Sequence, residues 1–196
     1  IDVLAYPVNV KVFETGSYST EDIHMTTGAD ALNEATILAK KGRRVQLETV
    51  IGQDDAGKFI QAHCNDAGIM VRDACIKKDE KTGMNIVLVE QDGTRSFLTN
   101  PHGTLRSLKV EHIQMPFPES AKIVCFASIF VFPKIGPDKL VQIFSQAKMQ
   151  GKIVCADMTK RKKGETLEDM AEAFSYIDYL VLNDEEAMLL TETESV

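Results

Sequence analysis

Short apolar runs bounded by turn residues alternate with longer segments of helical period along most of this chain. No other feature limits the fold as much, because strands alternating with helices of ten or more residues need crossover connections, and these build a parallel sheet. Residues 2–7 read as a buried strand, and 10–13 with 23–27 read as two strands joined by the polar stretch ETGSYSTED. From Gly28 the apolar spacing changes to helical, with Ala31, Leu32, Ala35, Leu38 and Ala39 on one face and Gly42 at the C-cap position. A strand over 45–51 and a second amphipathic helix through Ala56, Phe59, Ile60, His63, Cys64 and Ala67 to Gly68 follow.

The middle of the chain breaks this rhythm. Runs 84–89 and 95–99 flank Gln91-Asp92-Gly93, and Asp-Gly between two such runs predicts an antiparallel hairpin. Alternation then returns: strands over 122–127, 153–156 and 179–182, a helix from Pro137 through Phe144 and Ala147 to Gly151, another over 167–174, and a helix start at Asp184. The expected class is α/β, a doubly wound, mostly parallel sheet covered on both faces. With 196 residues and no Pro/Ser linker or internal repeat, one main domain over 1–196 is expected.

Net charge −7 and a pI near 5.2 disfavour a nucleic-acid or membrane-surface partner, and the one basic run is KRKKG at 160–164. Cys64, Cys75, Cys125 and Cys155 form no C-x-x-C pair and have no histidine at ligand spacing, so they read as reduced thiols. With no apolar run long enough for a span and no signal peptide, the expected location is the cytoplasm. The chain begins inside an apolar run and stops at TETESV just after one, which reads as part of a longer protein.

In α/β sheets ligands bind beyond the carboxyl ends of strands, so the segments that follow each strand are the candidate sites. Gly28 permits close backbone approach, while Asp30 and Asn33 lie on one face of the next helix and are able to bond a polyol. The competing reading for Asp30 is complementation of the helix dipole. Gly52, Asp54 and Gly57 read first as a turn and N-cap. Asp157 and the cationic loop with Arg161 sit after another strand, where they suit a phosphate. Asn183 and Glu186 read either as a capping box or as an amide and carboxylate that hold hydrated magnesium through its waters.

In order along the chain, these segments resemble the ribokinase-like (PfkB) carbohydrate kinases. Asn9 matches the family's Asn-x-Asp element, with Lys11 in place of the acid; Gly28-Ala29-Asp30-Ala31-Leu32-Asn33 matches its Gly-Gly segment ending in Asn, with Ala29 in place of the second glycine. Gly52, Asp54 and Gly57 match Gly-x-Asp-x-x-Gly; Asp92, Gly93 and Arg95 match the hairpin signature; Asp157, Thr159 and Arg161 match Asp-x-Asn-x-Arg; Asn183 and Glu186 match Asn-x-x-Glu. The resemblance implies a three-layer fold with a small β lid formed by about 10–27 and 84–99, and a homodimer through that lid as the oligomer it allows. It implies ATP and Mg²⁺ as cofactors and a sugar or sugar-like alcohol as phosphoryl acceptor. Asn9, Lys11, Gly28, Ala29, Asp30 and Asn33 would contact the sugar, and Arg161, Asn183 and Glu186 the phosphate or nucleotide, with Glu186 on magnesium through water. The family's Gly-x-Gly-Asp segment, which carries the catalytic base and an anion hole, does not occur in these 196 residues, so the base is expected beyond residue 196. The alternative function is a non-catalytic sugar-binding or regulatory protein of the same fold. A Rossmann oxidoreductase is disfavoured, because no G-x-G-x-x-G follows the first strand.

Overall fold

The computed structural model describes residues 1–9 and 11–195, which form two compact units, Ile1–Leu105 and Arg106–Val196. Unit 1 runs β1 (Asp2–Tyr6), α1 (Val12–Thr15), β2 (Asp22–Thr26), α2 (Asp30–Lys40), β3 (Val45–Leu47), β4 (Ile51–Gly52), α3 (Asp55–Ala67), β5 (Ile69–Val71), β6 (Ile76–Lys77), β7 (Asn85–Val89) and β8 (Arg95–Thr99). Unit 2 runs β9 (Ile123–Ile129), α4 (Pro137–Met149), β10 (Ile153–Met158), α5 (Leu167–Phe174), β11 (Tyr179–Val181) and α6 (Asp184–Thr191). The α/β class with mostly parallel pairing is the one expected, and its hydrogen bonds resolve into four sheets.

In unit 1 the largest sheet has the order β2-β1-β7-β8; β1 and β7 are parallel and the two outer strands antiparallel to them. The Asp92-Gly93 hairpin forms as expected, with Gly93 at φ 90°. The strand expected over 10–13 does not form: Val10 lies outside the described residues, and Val12–Thr15 is one helical turn that Gly16 closes at φ 76°. The run expected as one strand over 45–51 divides into β3 and β4, which pair with β5 and β6 respectively. Leu32 and Ala35 of α2 and Ile60 and Cys64 of α3 pack with Ile1, Leu47, Ile51 and Ile69 in the core of the unit.

Register sorts the four-stranded sheet into two unlike faces, because directly paired residues share a face. Val3, Ala5, Ile23, Met25, Ile86, Leu88 and Leu98 lie on one, and Ile23, Met25, Ile86 and Leu98 are exposed there. On the other, Thr26, Asp2, Asn85 and Thr99 stand side by side in one row across all four strands.

Unit 2 is built on the parallel sheet β11-β10-β9. Helix α4 starts with Pro137 at a first-turn position and buries Leu140, Ile143, Phe144 and Ala147. Phe126 meets Phe132 and Phe144 edge to face at 5.8 and 5.7 Å between ring centroids, within the usual range for such pairs. Val154, Ala156 and Met158 of β10 and Met170 and Ala173 of α5 complete this core. Lys152 is also buried, its ammonium donating to the carbonyls of Pro118 at 2.9 Å and Ala121 at 2.8 Å.

Candidate functional site

The row Thr26, Asp2, Asn85 and Thr99 puts a carboxylate, an amide and two hydroxyls at one level of a sheet whose remaining positions are largely apolar. Asn85 Nδ2 donates to Asp2 Oδ1 at 2.8 Å. Asn85 Oδ1 is buried and has no hydrogen-bond partner, the one side-chain atom in that state among the described residues. Buried polar atoms are almost always paired, so an orphan beside a carboxylate points to a missing donor. Gly28 follows β2 at the same level. A Cβ there would lie 2.0 Å from Asp2 Oδ2, so only glycine lets this carboxylate and the chain entering α2 coexist.

Ala29 then takes φ 74° and ψ 139°, a conformation natural to glycine and strained for alanine. As N-cap of α2 it offers no side-chain acceptor, so the first helical N–H groups have no cap from it. Asp30, in the first turn, complements the positive end of the helix, and both Asp30 and Asn33 are exposed. Asn33 donates its backbone N–H to the Ala29 carbonyl at 3.1 Å, and its exposed side chain makes no hydrogen bond among the described residues. Acceptors from a strand and donors from a helix start suit a polyol, whose hydroxyls both donate and accept.

Asn9 and Lys11 are elsewhere. Asn9 Oδ1 accepts the Lys11 N–H at 2.9 Å in a local turn beyond the Tyr6 end of β1, whereas Gly28 lies beyond the Asp2 end. The two halves of the expected sugar set are therefore separated by the length of the strand pair, about 17 Å for five residues. A small cavity of about 150 Å³ at the far end is lined by Pro7, Val8, Asn9, Tyr18, Glu90 and Gln91. The acid that accompanies Gly28 is Asp2, which sequence reasoning passed over as part of a strand. Its one signal in the sequence was a charged residue at the head of an apolar run.

Gly52, Asp54 and Gly57 form the turn and cap expected of them. Asp54 Oδ1 accepts the Gly57 N–H at 2.9 Å and the Thr82 hydroxyl at 2.6 Å, and Oδ2 accepts the Thr82 N–H at 2.9 Å. Thr82 Oγ1 in turn accepts the Gly52 N–H at 2.9 Å. Burial would raise the Asp54 carboxyl, but the Thr82 hydroxyl and amide with the Gly57 amide outweigh it and hold it below the ordinary value of 3.8.

In unit 2, Asn183 Oδ1 accepts the Glu186 N–H at 2.8 Å and Glu186 Oε2 accepts the Asn183 N–H at 3.0 Å, a closed capping box at the head of α6. Glu186 Oε1 makes no hydrogen bond among the described residues. Arg161 donates to the Glu165 carbonyl at 3.1 Å and to Glu192 Oε1 at 3.3 Å, beside a cleft of about 470 Å³ lined also by Glu185, Met188, Leu189 and Thr193. Asp157, at the end of β10, accepts the Ser128 N–H, and Ser128 and Phe130 both take positive φ, 60° and 78°, around Ile129. No three acidic, histidine or cysteine side chains converge as a metal cage among the described residues.

A family model described as pfkB family carbohydrate kinase matches residues 1–196, the whole chain. This chain belongs to that family. Among solved structures, the pfkB chain is similar to a fructokinase from Xylella fastidiosa at 25% identity and TM-score 0.70, with 92% of this chain and 57% of that one covered. It shares its fold with a PfkB protein from Polaromonas sp. JS666, at 18% identity and TM-score 0.79, covering 99% of this chain and 66% of that one. The same holds for an adenosine kinase from Sinorhizobium meliloti, at 18% identity and TM-score 0.77, covering 99% and 65%. The pfkB chain thus spans 57 to 66% of the length of these three structures.

Proposed function

We propose that this pfkB family chain carries the sugar-binding portion of an ATP-dependent kinase that phosphorylates a hydroxyl of a sugar or sugar-like substrate. The carrying observation is the Asp2 carboxylate held against Gly28 and bonded to Asn85, whose orphan Oδ1 awaits a donor. In this reading Asp2, Asn85, Asp30 and Asn33 contact the hydroxyls, with Gly28 and Ala29 giving backbone access, and Asn9 and Lys11 do not share that site. The chain's β2 strand and β7–β8 hairpin form the lid, and the exposed apolar face with Ile23, Met25, Ile86 and Leu98 supports pairing of two chains through it.

ATP as phosphoryl donor is supported by the Xylella fructokinase, one of whose crystal structures has bound ATP. Arg161 is assigned to phosphate, in exchange for its pairing with Glu192, and Asn183 to the same region. The donor set of unit 2 does not suit direct metal coordination, since Glu186 has one oxygen engaged in its capping box. It does suit an outer-sphere role for Glu186 Oε1 toward a hydrated Mg²⁺, an ion that would neutralise phosphate charge. The base that takes the proton from the attacking hydroxyl is assigned to a segment beyond residue 196, and the cell compartment to the cytoplasm.

Titration of the protein with a panel of monosaccharides, followed by calorimetry and thermal shift, tests this reading. One sugar should bind, and Asp2→Asn and Asn85→Ala should each weaken it on the order of 10- to 100-fold, as for a binding group left without its partner. Unchanged affinity in both variants would overturn the assignment. Sugar binding that persists with no phosphoryl transfer in a longer chain containing a Gly-x-Gly-Asp segment would favour the non-catalytic reading.

A further inference from the structure

Strands β1 and β7 pair in parallel although Asp2 and Asn85 stand 83 positions apart. No tight turn joins parallel strands, so nothing local decides which residues of β7 lie opposite β1. A slip of one residue would send Asn85 to the other face of the sheet, away from Asp2. The Asp92-Gly93 turn fixes β8 against β7 and leaves β7 against β1 open. The register that makes the row of Asp2 and Asn85 therefore needs a restraint where β7 begins.

Segment 81–84 supplies it. Thr82 is buried and shortly precedes Asn85. Its N–H and hydroxyl both donate to the Asp54 carboxylate, at 2.9 and 2.6 Å, while its Oγ1 accepts the Gly52 N–H of β4 at 2.9 Å. The other leg of the β7–β8 hairpin is bound in beside it. The Lys81 carbonyl accepts the Thr104 N–H at 2.8 Å, the buried Thr104 hydroxyl accepts the Gly83 N–H at 3.1 Å, and the Met84 carbonyl accepts the Asn100 N–H at 3.2 Å. The two backbones touch: a Cβ on Gly103 would lie 2.7 Å from the Gly83 Cα, so only glycine fits between them. Both legs thus leave one knot, which Asp54 ties to the head of α3.

We infer that Asp54 is a positioning residue of the sugar site, holding Thr82 so that β7 starts in the register that sets Asn85 beside Asp2. This role rests on the proposed sugar site at Asp2 and Asn85. A helix cap alone needs only the bond from the Gly57 N–H to Asp54 Oδ1. The second oxygen and both Thr82 contacts go beyond that need, and they are directed at the hairpin base. Without the carboxylate the Thr82 N–H must turn to find another acceptor, because an unpaired buried amide is costly. A turn so close to the start of β7 shifts Asn85 along β1 and loosens its bond to Asp2. Asp54 acts through Asn85 and not on the sugar.

A double-mutant cycle tests this, read by calorimetry with the tightest-binding of fructose, glucose, galactose and ribose. Asparagine caps a helix as aspartate does, but with its oxygen on Gly57 its amide nitrogen meets the Thr82 N–H donor to donor. Asp54→Asn should therefore bind the sugar about 10-fold more weakly than wild type. In the Asn85→Ala background the same change should add no more than about 2-fold, because both act through one bond. Thr82→Val should match Asp54→Asn, and Thr82→Ser, which keeps the hydroxyl, should bind as wild type; this pair decides the matter where Asp54→Asn fails to fold. Thr166→Ala, which removes the cap of α5, should lower the melting temperature and leave sugar affinity unchanged. Wild-type affinity in Asp54→Asn and Thr82→Val, losses that multiply in the double variant, or an equal loss in Thr166→Ala would overturn the role and leave the sugar site standing. No binding of any of the four sugars, or full affinity in Asn85→Ala, would overturn the site and the role together.

Discussion

Two strand-to-helix junctions, residues 26–33 in unit 1 and 182–186 in unit 2, have the same ingredients and use them in opposite ways. At the head of α6 the amide of Asn183 and the carboxylate of Glu186 satisfy each other's backbone N–H groups, four residues closing on themselves. At the head of α2 the cap position is Ala29, which has nothing to offer, and the carboxylate arrives from β1 by sheet register rather than from the helix. Its amide partner Asn85 comes from β7 and retains an unpaired acceptor. A junction that satisfies itself is a structural device until something competes for it. One assembled from three separate segments, with a strained backbone and an orphan atom, has groups to spare for a ligand.

Gly28→Ala should break the unit 1 junction most severely. Its Cβ cannot share space with the Asp2 carboxylate, so Asp2 must move. We expect sugar affinity to fall below detection by calorimetry, and thermal unfolding to show a loss of about 1–3 kcal/mol, the range for a buried group driven from its partner. A normal melting temperature with normal sugar affinity would remove Asp2 from the site.

A second pair of variants compares caps. Asp54→Ala removes the cap of α3 and leaves the Thr82 N–H and hydroxyl without their acceptor, for an expected loss of about 2–3 kcal/mol in denaturant unfolding. Asn183→Ala, which loses one cap alone, should cost about 1 kcal/mol. Equal losses would mean that the Thr82 network adds nothing. Asp54 also carries a pH signature. Its folded-state carboxyl lies below the ordinary 3.8, so its stabilisation is complete above that value and fades as pH falls from there through the lower folded value. Asp54→Asn should therefore flatten the acid limb of the stability curve, read by urea midpoints between pH 5 and pH 2, a window about the carboxylate range.

Ala29→Gly is expected to stabilise. Relief of a positive-φ alanine is worth about 1–3 kcal/mol. The added chain entropy of glycine offsets roughly 0.4–1 of this, so a net gain of about 1 kcal/mol should appear as a higher melting temperature. The smallest effect on stability belongs to Glu186→Gln, because glutamine closes a capping box as glutamate does. Its melting temperature should not change, whereas in a catalytically competent longer chain the Mg²⁺ requirement should rise. A lower melting temperature with an unchanged Mg²⁺ requirement would leave Glu186 as a cap and nothing more.

What the sequence made legible was local. Period and turn chemistry placed α2, α3, α4 and α5 nearly to the residue, and Asp92-Gly93 set the β7–β8 hairpin, because those signals lie within a few residues of what they determine. The three-residue strands β3 and β5 and the two-residue β4 and β6 are too short for periodicity to bound, whereas β11 falls within the run expected over 179–182. The site divided the same way. Gly28 and the α2 start were evident, as was the capping alternative for Asn183 and Glu186. The contact of Asp2 with Gly28 was hidden because it depends on pairing with residues 24 and 83 positions away, and the separation of Asn9 and Lys11 from Gly28 because motif order along a chain does not say which end of a strand a residue occupies.

Lys152 offers a probe of unit 2 that needs no mutation. An ammonium enclosed by two carbonyls at the start of β10 is shielded from amine-reactive reagents for as long as the 116–121 segment stays closed over it. Lys162, exposed in the same unit, should label at once. The lag between the two in a reductive-methylation time course reports how often that segment opens, and thus reads local opening of unit 2 directly.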